Sequence, residues 1–147
     1  MNKQRIREVL IICAAVIGLV LIIVVIMSNP MVRYNNYMLK EAVVNLDSKK
    51  ICLNQVVPFE WDTVYAFKPY TSKEIIEGTL GIESSVIEPT MDDDMVQYIF
   101  VKNNRVVSSI CDEDTKLGYR IEFKGLIKAE DKVEFTVKKN DGVIVLK

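Results

Sequence analysis

Met95-Val96-Gln97-Tyr98-Ile99-Phe100-Val101-Lys102-Asn103-Asn104-Arg105-Val106-Val107-Ser108-Ser109-Ile110-Cys111 consists of two runs of β-formers around a pair of asparagines. Asparagine accepts positive φ more readily than most residues, so the pair reads as a two-residue turn of the primed type. The flanking runs, 95–102 and 105–111, then read as the two strands of a hairpin. Towards the C-terminus the alternation continues. Tyr119, Ile121 and Phe123 alternate with Arg120, Glu122 and Lys124, and Val133, Phe135 and Val137 alternate with Lys132, Glu134, Thr136 and Lys138. Asn140-Asp141-Gly142 turns the chain into a last strand, Val143 to Leu146. Period-two patterning of this kind predicts antiparallel strands with one face in water.

Towards the N-terminus the pattern becomes mixed. Thr63 to Lys68 is rich in β-formers and apolar on both faces, which predicts a strand covered on both sides. Lys50 to Leu53 reads as a short strand. Tyr70 to Gly81 carries the marks of one helix. Thr71 and Glu74 have capping-box spacing, Tyr70 and Ile75 staple spacing, Lys73 and Glu77 form an i,i+4 pair, and Gly81 is a stop. Asn36 is the expected cap of a second helix running to Leu46, with Leu39, Val43 and Leu46 on one stripe. Two helices early and strands late make an α+β domain with an antiparallel sheet.

Ahead of this domain, Val9 to Met27 contains no charged residue and is mostly Val, Ile and Leu. At 1.5 Å per residue it would span roughly 28 Å, close to the hydrocarbon thickness of a bilayer. Lys3, Arg5 and Arg7 precede it, so the positive-inside rule expects a cytoplasmic N-terminus and a single-pass anchor in the cell membrane, with the rest outside. The run is longer than a signal-peptide core, and no small-x-small site follows, which favours an uncleaved signal anchor. Cys13 lacks the Gly or Ala that a lipobox places before its cysteine. The expected organisation is a tail at 1–8, a transmembrane helix at 9–27, a short stalk at 28–35 and an extracytoplasmic domain at 36–147.

Composition removes several functional classes. The chain has no histidine, so it lacks the commonest general base and zinc ligand. Setting aside Lys3, Arg5, Arg7 and Glu8 leaves 16 basic and 19 acidic residues in the outer part, a poor match to nucleic acid. No cofactor is expected. Asp92-Asp93-Asp94 and Asp112-Glu113-Asp114 lack the spacing of a calcium loop and read as solvated, so no metal site is expected. Glu60, Asp62 and Glu122 are the nearest approach to a pair of hydrolytic carboxylates, and their spacing lends no support to one.

The densest aromatic segment, Phe59 to Tyr70, holds the only tryptophan. Trp61, Asp62 and Tyr70 are the candidate ligand-binding residues, since aromatic rings offer large contact area at low entropic cost. The competing reading puts Trp61 in the core, Asp62 in a local turn and Tyr70 in the helix staple, and it is the preferred one. Cys52 and Cys111 would form a disulfide if the short first strand met the end of the hairpin; two buried free thiols are the preferred alternative.

Phe59-x-Trp61-Asp62-x-x-Tyr65-x-Phe67-x-Pro69-Tyr70, the helix ending Leu80-Gly81 and the hairpin Val101-Lys102-Asn103-Asn104-Arg105-Val106-Val107 resemble a group of small uncharacterised envelope proteins. The group occurs in clostridia and other Firmicutes, and many of its members are lipoproteins. The resemblance runs from about residue 40 to residue 147 and implies tethering to the outer face of the membrane. It brings no activity and no functional residues. The expected function is therefore a membrane-anchored binding or interaction domain, not an enzyme, with an unidentified protein or peptide partner. An immunity-type protein that sequesters a toxic peptide and a cell-envelope hydrolase are the alternatives.

Overall fold

The computed structural model describes residues 3–27 and 29–147. Met1 and Asn2 in the basic tail and Ser28 in the expected stalk lie outside the described residues. The chain divides into two compact units after Pro30. The first is dominated by α1 (Lys3–Met27). Within it, Arg7–Val24 is long and apolar enough to cross a membrane. Side chains such as Ile11 are exposed on it, so no packed core accounts for its hydrophobicity.

The rest runs α2 (Pro30–Val44), β1 (Lys50–Cys52), α3 (Leu53–Val56), β2 (Thr63–Phe67), α4 (Lys73–Leu80), β3 (Met95–Lys102), β4 (Arg105–Glu113), α5 (Asp114–Leu117), β5 (Tyr119–Ile121), β6 (Gly125–Lys128), β7 (Glu134–Asn140) and β8 (Val143–Leu146). The fold is α+β. Its strands form two four-stranded sheets, β4-β3-β2-β6 and β1-β7-β8-β5, where one antiparallel sheet was expected. The pairing is antiparallel except between β5 and β8. The strand expected over 119–124 stops at Ile121, and Gly125, at φ +77°, begins β6 in the other sheet. Glycine enters this left-handed conformation without a Cβ penalty, so the chain can change sheets within four residues.

Both hairpin turns follow their sequence signals. Asn103 and Asn104 have φ of 48° and 58°, as a type I′ turn requires, and Asp141 and Gly142 repeat the device between β7 and β8. Val64, Tyr98, Phe100 and Ile110 of the first sheet share one core with Leu39 and Val43 of α2 and with Tyr119, Ile121, Phe135, Ile144 and Leu146. Ile76, Ile87, Ile99 and Val101 form a smaller cluster, packed with Tyr65 and Phe67. Neighbouring β2 residues thus pack into different clusters, as the two-sided pattern of 63–68 predicts.

Two helix starts differ from the sequence reading. α2 begins at Pro30, six residues before Asn36, because proline's fixed φ and missing N–H suit a first helical position. Residues 30–35 are therefore helix and not stalk, with Val32 and Asn35 buried. The Asn36 side chain serves β4 instead. Its Nδ2 donates to the Ser109 carbonyl at 2.7 Å, and its Oδ1 accepts from Ser108 Oγ at 2.7 Å and from the Ser109 N–H at 3.1 Å. Asn35 Nδ2 donates to the Val107 carbonyl at 2.8 Å. These two amides occupy an edge strand that would otherwise present unpaired backbone groups. In α4 the cap is Ser72, not Thr71. The Thr71 hydroxyl is engaged by the Lys68 carbonyl at 2.7 Å, which leaves the Ser72 hydroxyl to accept from the Ile75 N–H. Gly81, at φ 66°, ends the helix, and Lys73 lies 3.6 Å from Glu77.

Candidate functional site

A cleft of about 520 Å³ opens among three segments: Ala66 to Pro69 at the end of β2, Met95 to Tyr98 at the start of β3, and Arg120 to Lys124 at and beyond β5. The β2–β3 register sets Ala66 opposite Tyr98 and Phe67 opposite Gln97, which aligns the first two segments. The third is fixed by the Tyr98 hydroxyl, which donates to the Ile121 carbonyl at 2.9 Å and accepts from the Ile121 N–H at 2.8 Å. The Tyr98 ring stacks on Phe123, with centroids 6.1 Å apart and planes at 20°. The volume is that of a small-ligand or side-chain pocket, and the lining combines apolar side chains with Lys68, Asp93, Gln97, Arg120, Glu122 and Lys124.

Two of the charged residues lining the cleft are paired. Arg120 pairs with Asp114 through Nη2, and Glu122 lies 3.8 Å from Lys147 Nζ. Arg120 Nε is buried without a partner. Burial pushes the Tyr98 phenol up to about 12, the hydrogen bond from the Ile121 N–H acting against the rise. A phenol held neutral so far above physiological pH is a fixed hydrogen-bonding post and not a proton shuttle.

Exposed apolar side chains adjoin the cleft. Tyr70 follows directly on the lining residue Pro69, is 65% exposed and has φ of 61°, an unfavourable conformation for an aromatic residue. Thr71 and Thr90 tie this turn to the next loop: the Thr71 N–H donates to Thr90 Oγ1 at 3.0 Å and the Thr90 N–H to the Thr71 carbonyl at 3.3 Å. Met91, exposed, lies beyond Thr90, and its N–H is 3.5 Å from Sδ of Met95, a lining residue.

The three ligand-binding candidates do not converge. Trp61 is 7% exposed and meets Phe100 edge-on at 5.6 Å, in the core. Asp62 fastens the β3–β4 hairpin. Its carboxylate accepts from the Asn103 N–H at 2.7 Å and from Lys102 Nζ at 2.9 Å, and the first of these bonds leads in holding its pKa below the usual carboxylate range. Tyr70 alone adjoins the cleft. Cys52 and Cys111 are free and lie in different sheets, Cys52 Sγ donating to the Lys132 carbonyl and Cys111 Sγ to that of Pro89. Burial, with Glu88 and Asp112 nearby, raises the Cys111 thiol to about 11, so it holds its proton and is a weak nucleophile. Among the described residues no group of His, Cys, Asp and Glu is placed to hold a metal ion. Of the acidic clusters, Asp112 and Glu113 face Lys116, and Asp114 faces Arg120.

The sequence reading missed the cleft because its walls are distant in the chain. Only Ala66 to Pro69 falls within the aromatic segment, and nothing in the order of residues joins it to Arg120–Lys124. Comparison of the chain with protein-family models, with curated proteins and with solved structures finds no match.

Proposed function

We propose that this chain is a single-pass membrane protein whose outer domain binds a protein or peptide partner by taking an apolar side chain into the cleft beneath Tyr98 and Phe123. The cleft itself is the observation that carries this reading: a volume of about 520 Å³ whose lining residues Pro69 and Met95 neighbour the exposed Tyr70 and Met91. Arg120 and Glu122, two of the charged groups that line it, are already paired, which supports recognition over turnover. The charge bias around the apolar helix supports a cytoplasmic N-terminus and an outer position for this domain. A tether confines the search for a partner to the membrane surface and raises the effective concentration there. The outer domain's acidic excess supports a partner other than nucleic acid.

Photocrosslinking in intact cells tests the proposal. Benzoylphenylalanine replacing Lys124 at the cleft should capture a discrete partner. The cleft-filling change Met95→Trp should abolish that capture, while the same probe replacing Lys139 should capture nothing discrete. Capture that survives Met95→Trp would move the binding surface elsewhere. Release of product from envelope glycans or peptides by the purified protein would replace binding with hydrolysis. A reporter fused after Lys147 should be active only in a form that works outside the cytoplasm.

A further inference from the structure

We propose that the outward face of α2 is a membrane-surface contact, with Met31, Tyr34 and Tyr37 lodged in the headgroup layer of the bilayer that α1 crosses. The proposal rests on the reading of α1 as a membrane span. These three side chains are 67%, 62% and 59% exposed. At 100° per residue they fall within an arc of about 120°. The opposite face is committed: Val32, Leu39 and Val43 are buried, and the Asn35 and Asn36 amides bond to β4. The helix is thus fixed to the domain by one face and leaves an amphipathic stripe uncovered on the other.

Chain length and chemistry identify the occupant. Met31 is four residues past the end of α1, so it lies within about 14 Å of that end in any conformation. Tyr37 is about 9 Å further along α2. The chain thus lets Met31 reach the headgroup layer, roughly 5–8 Å deep on each side of the hydrocarbon core, and an α2 inclined to the surface keeps Tyr34 and Tyr37 within it. The stripe also follows the polarity of that layer. Along the helix it passes from Met31 through Tyr34 and Tyr37 to Glu41, from apolar to amphipathic to charged. Tyrosine is enriched at this depth because its ring prefers the apolar side and its hydroxyl the wet side. Exposed Arg33, beside the stripe, suits the phosphate of a lipid headgroup. A second copy of the chain fits poorly, since three side chains fall well short of the ~800 Å² per partner of a stable interface.

Tryptophan scanning of the full-length protein in phosphatidylcholine–phosphatidylglycerol vesicles tests this. Tyr34→Trp and Tyr37→Trp are read against the parent protein, whose only tryptophan is buried. Their added emission should be blue-shifted and quenched by lipids brominated near the headgroup. Lys139→Trp, on the β7–β8 hairpin, should emit as in water. Water-like emission from both α2 variants overturns the proposal, as does a blue shift that brominated lipid leaves unquenched, which would mean a protein contact. Quenching of Lys139→Trp to the same extent also overturns it. Val20→Trp, quenched by deeply brominated lipid, separates the two readings. If it is quenched and the α2 variants are not, only the α2 contact fails; if it is not quenched, the membrane-spanning reading fails as well.

Discussion

The hydroxyl of Tyr98 takes the place of a neighbouring strand for Ile121, accepting its N–H and donating to its carbonyl. Tyr98 belongs to β3 in one sheet and Ile121 to β5 in the other, so one phenol fastens the two sheets together at the cleft. Both residues are almost fully buried, so no water is at hand to replace the bonds.

Tyr98→Phe should therefore destabilise the outer domain by about 2–4 kcal/mol, since it strands a buried N–H and a buried carbonyl together. Urea unfolding followed by circular dichroism should show a lower midpoint with an unchanged slope. A loss within 0.5 kcal/mol would mean that the Ile121 main chain finds other partners.

Alkaline pH should act on the same bond. An unfolded tyrosine ionises near pH 10, whereas folded Tyr98 holds its proton to about 12. Above pH 10 the unfolded chain binds fewer protons than the folded one, so stability falls as pH rises from 10 to 12 and is unaffected by this group below 10. Two pKa units correspond to about 3 kcal/mol. Burial, and to a lesser degree the neighbouring Tyr98, shifts Tyr119 in the same direction and should steepen the fall. Denaturant midpoints measured from pH 9 to 12 on the parent and Tyr98→Phe should converge as pH rises.

Asn36→Ala removes an amide that makes three hydrogen bonds to β4, one of them to a Ser108 side chain with no solvent exposure. The expected cost is about 2–3 kcal/mol. Hydrogen exchange should localise it, with the Ser109 N–H exchanging faster than in the parent and the Asn103 N–H, held by Asp62, unchanged. Equal acceleration at both would mean global loosening.

Trp61→Ala should cost about 3–5 kcal/mol, the range for truncating a buried aromatic. Calorimetry of the purified protein reads it directly. A melting point within a degree or two of the parent would return Trp61 to the list of binding residues.

The local signals in the sequence held because each is satisfied by residues close in the chain. Asn103-Asn104 and Asp141-Gly142 supply the φ values that their turns need, Gly81 ends α4, a run of β-formers locates β3, alternation locates β7 and the turn before it locates β8. The apolar run from Val9 to Met27 needs no partner to be recognised as a helix long enough for a membrane. Caps and sheet membership depended on competition across the fold. Thr71 lost the cap of α4 to Ser72 while its hydroxyl bonds the Lys68 carbonyl, and Asn36 lost that of α2 because the helix already begins at Pro30, which leaves its amide to β4. The candidate site belongs to this second kind. Phe59 to Tyr70 stands out as an aromatic segment, yet its most conspicuous member, Trp61, serves the core, while Ala66 to Pro69 line the cleft. Period two tells which residues share a face but not which sheet they join, so only long-range pairing set Ala66 beside Tyr98 and Tyr98 against Ile121.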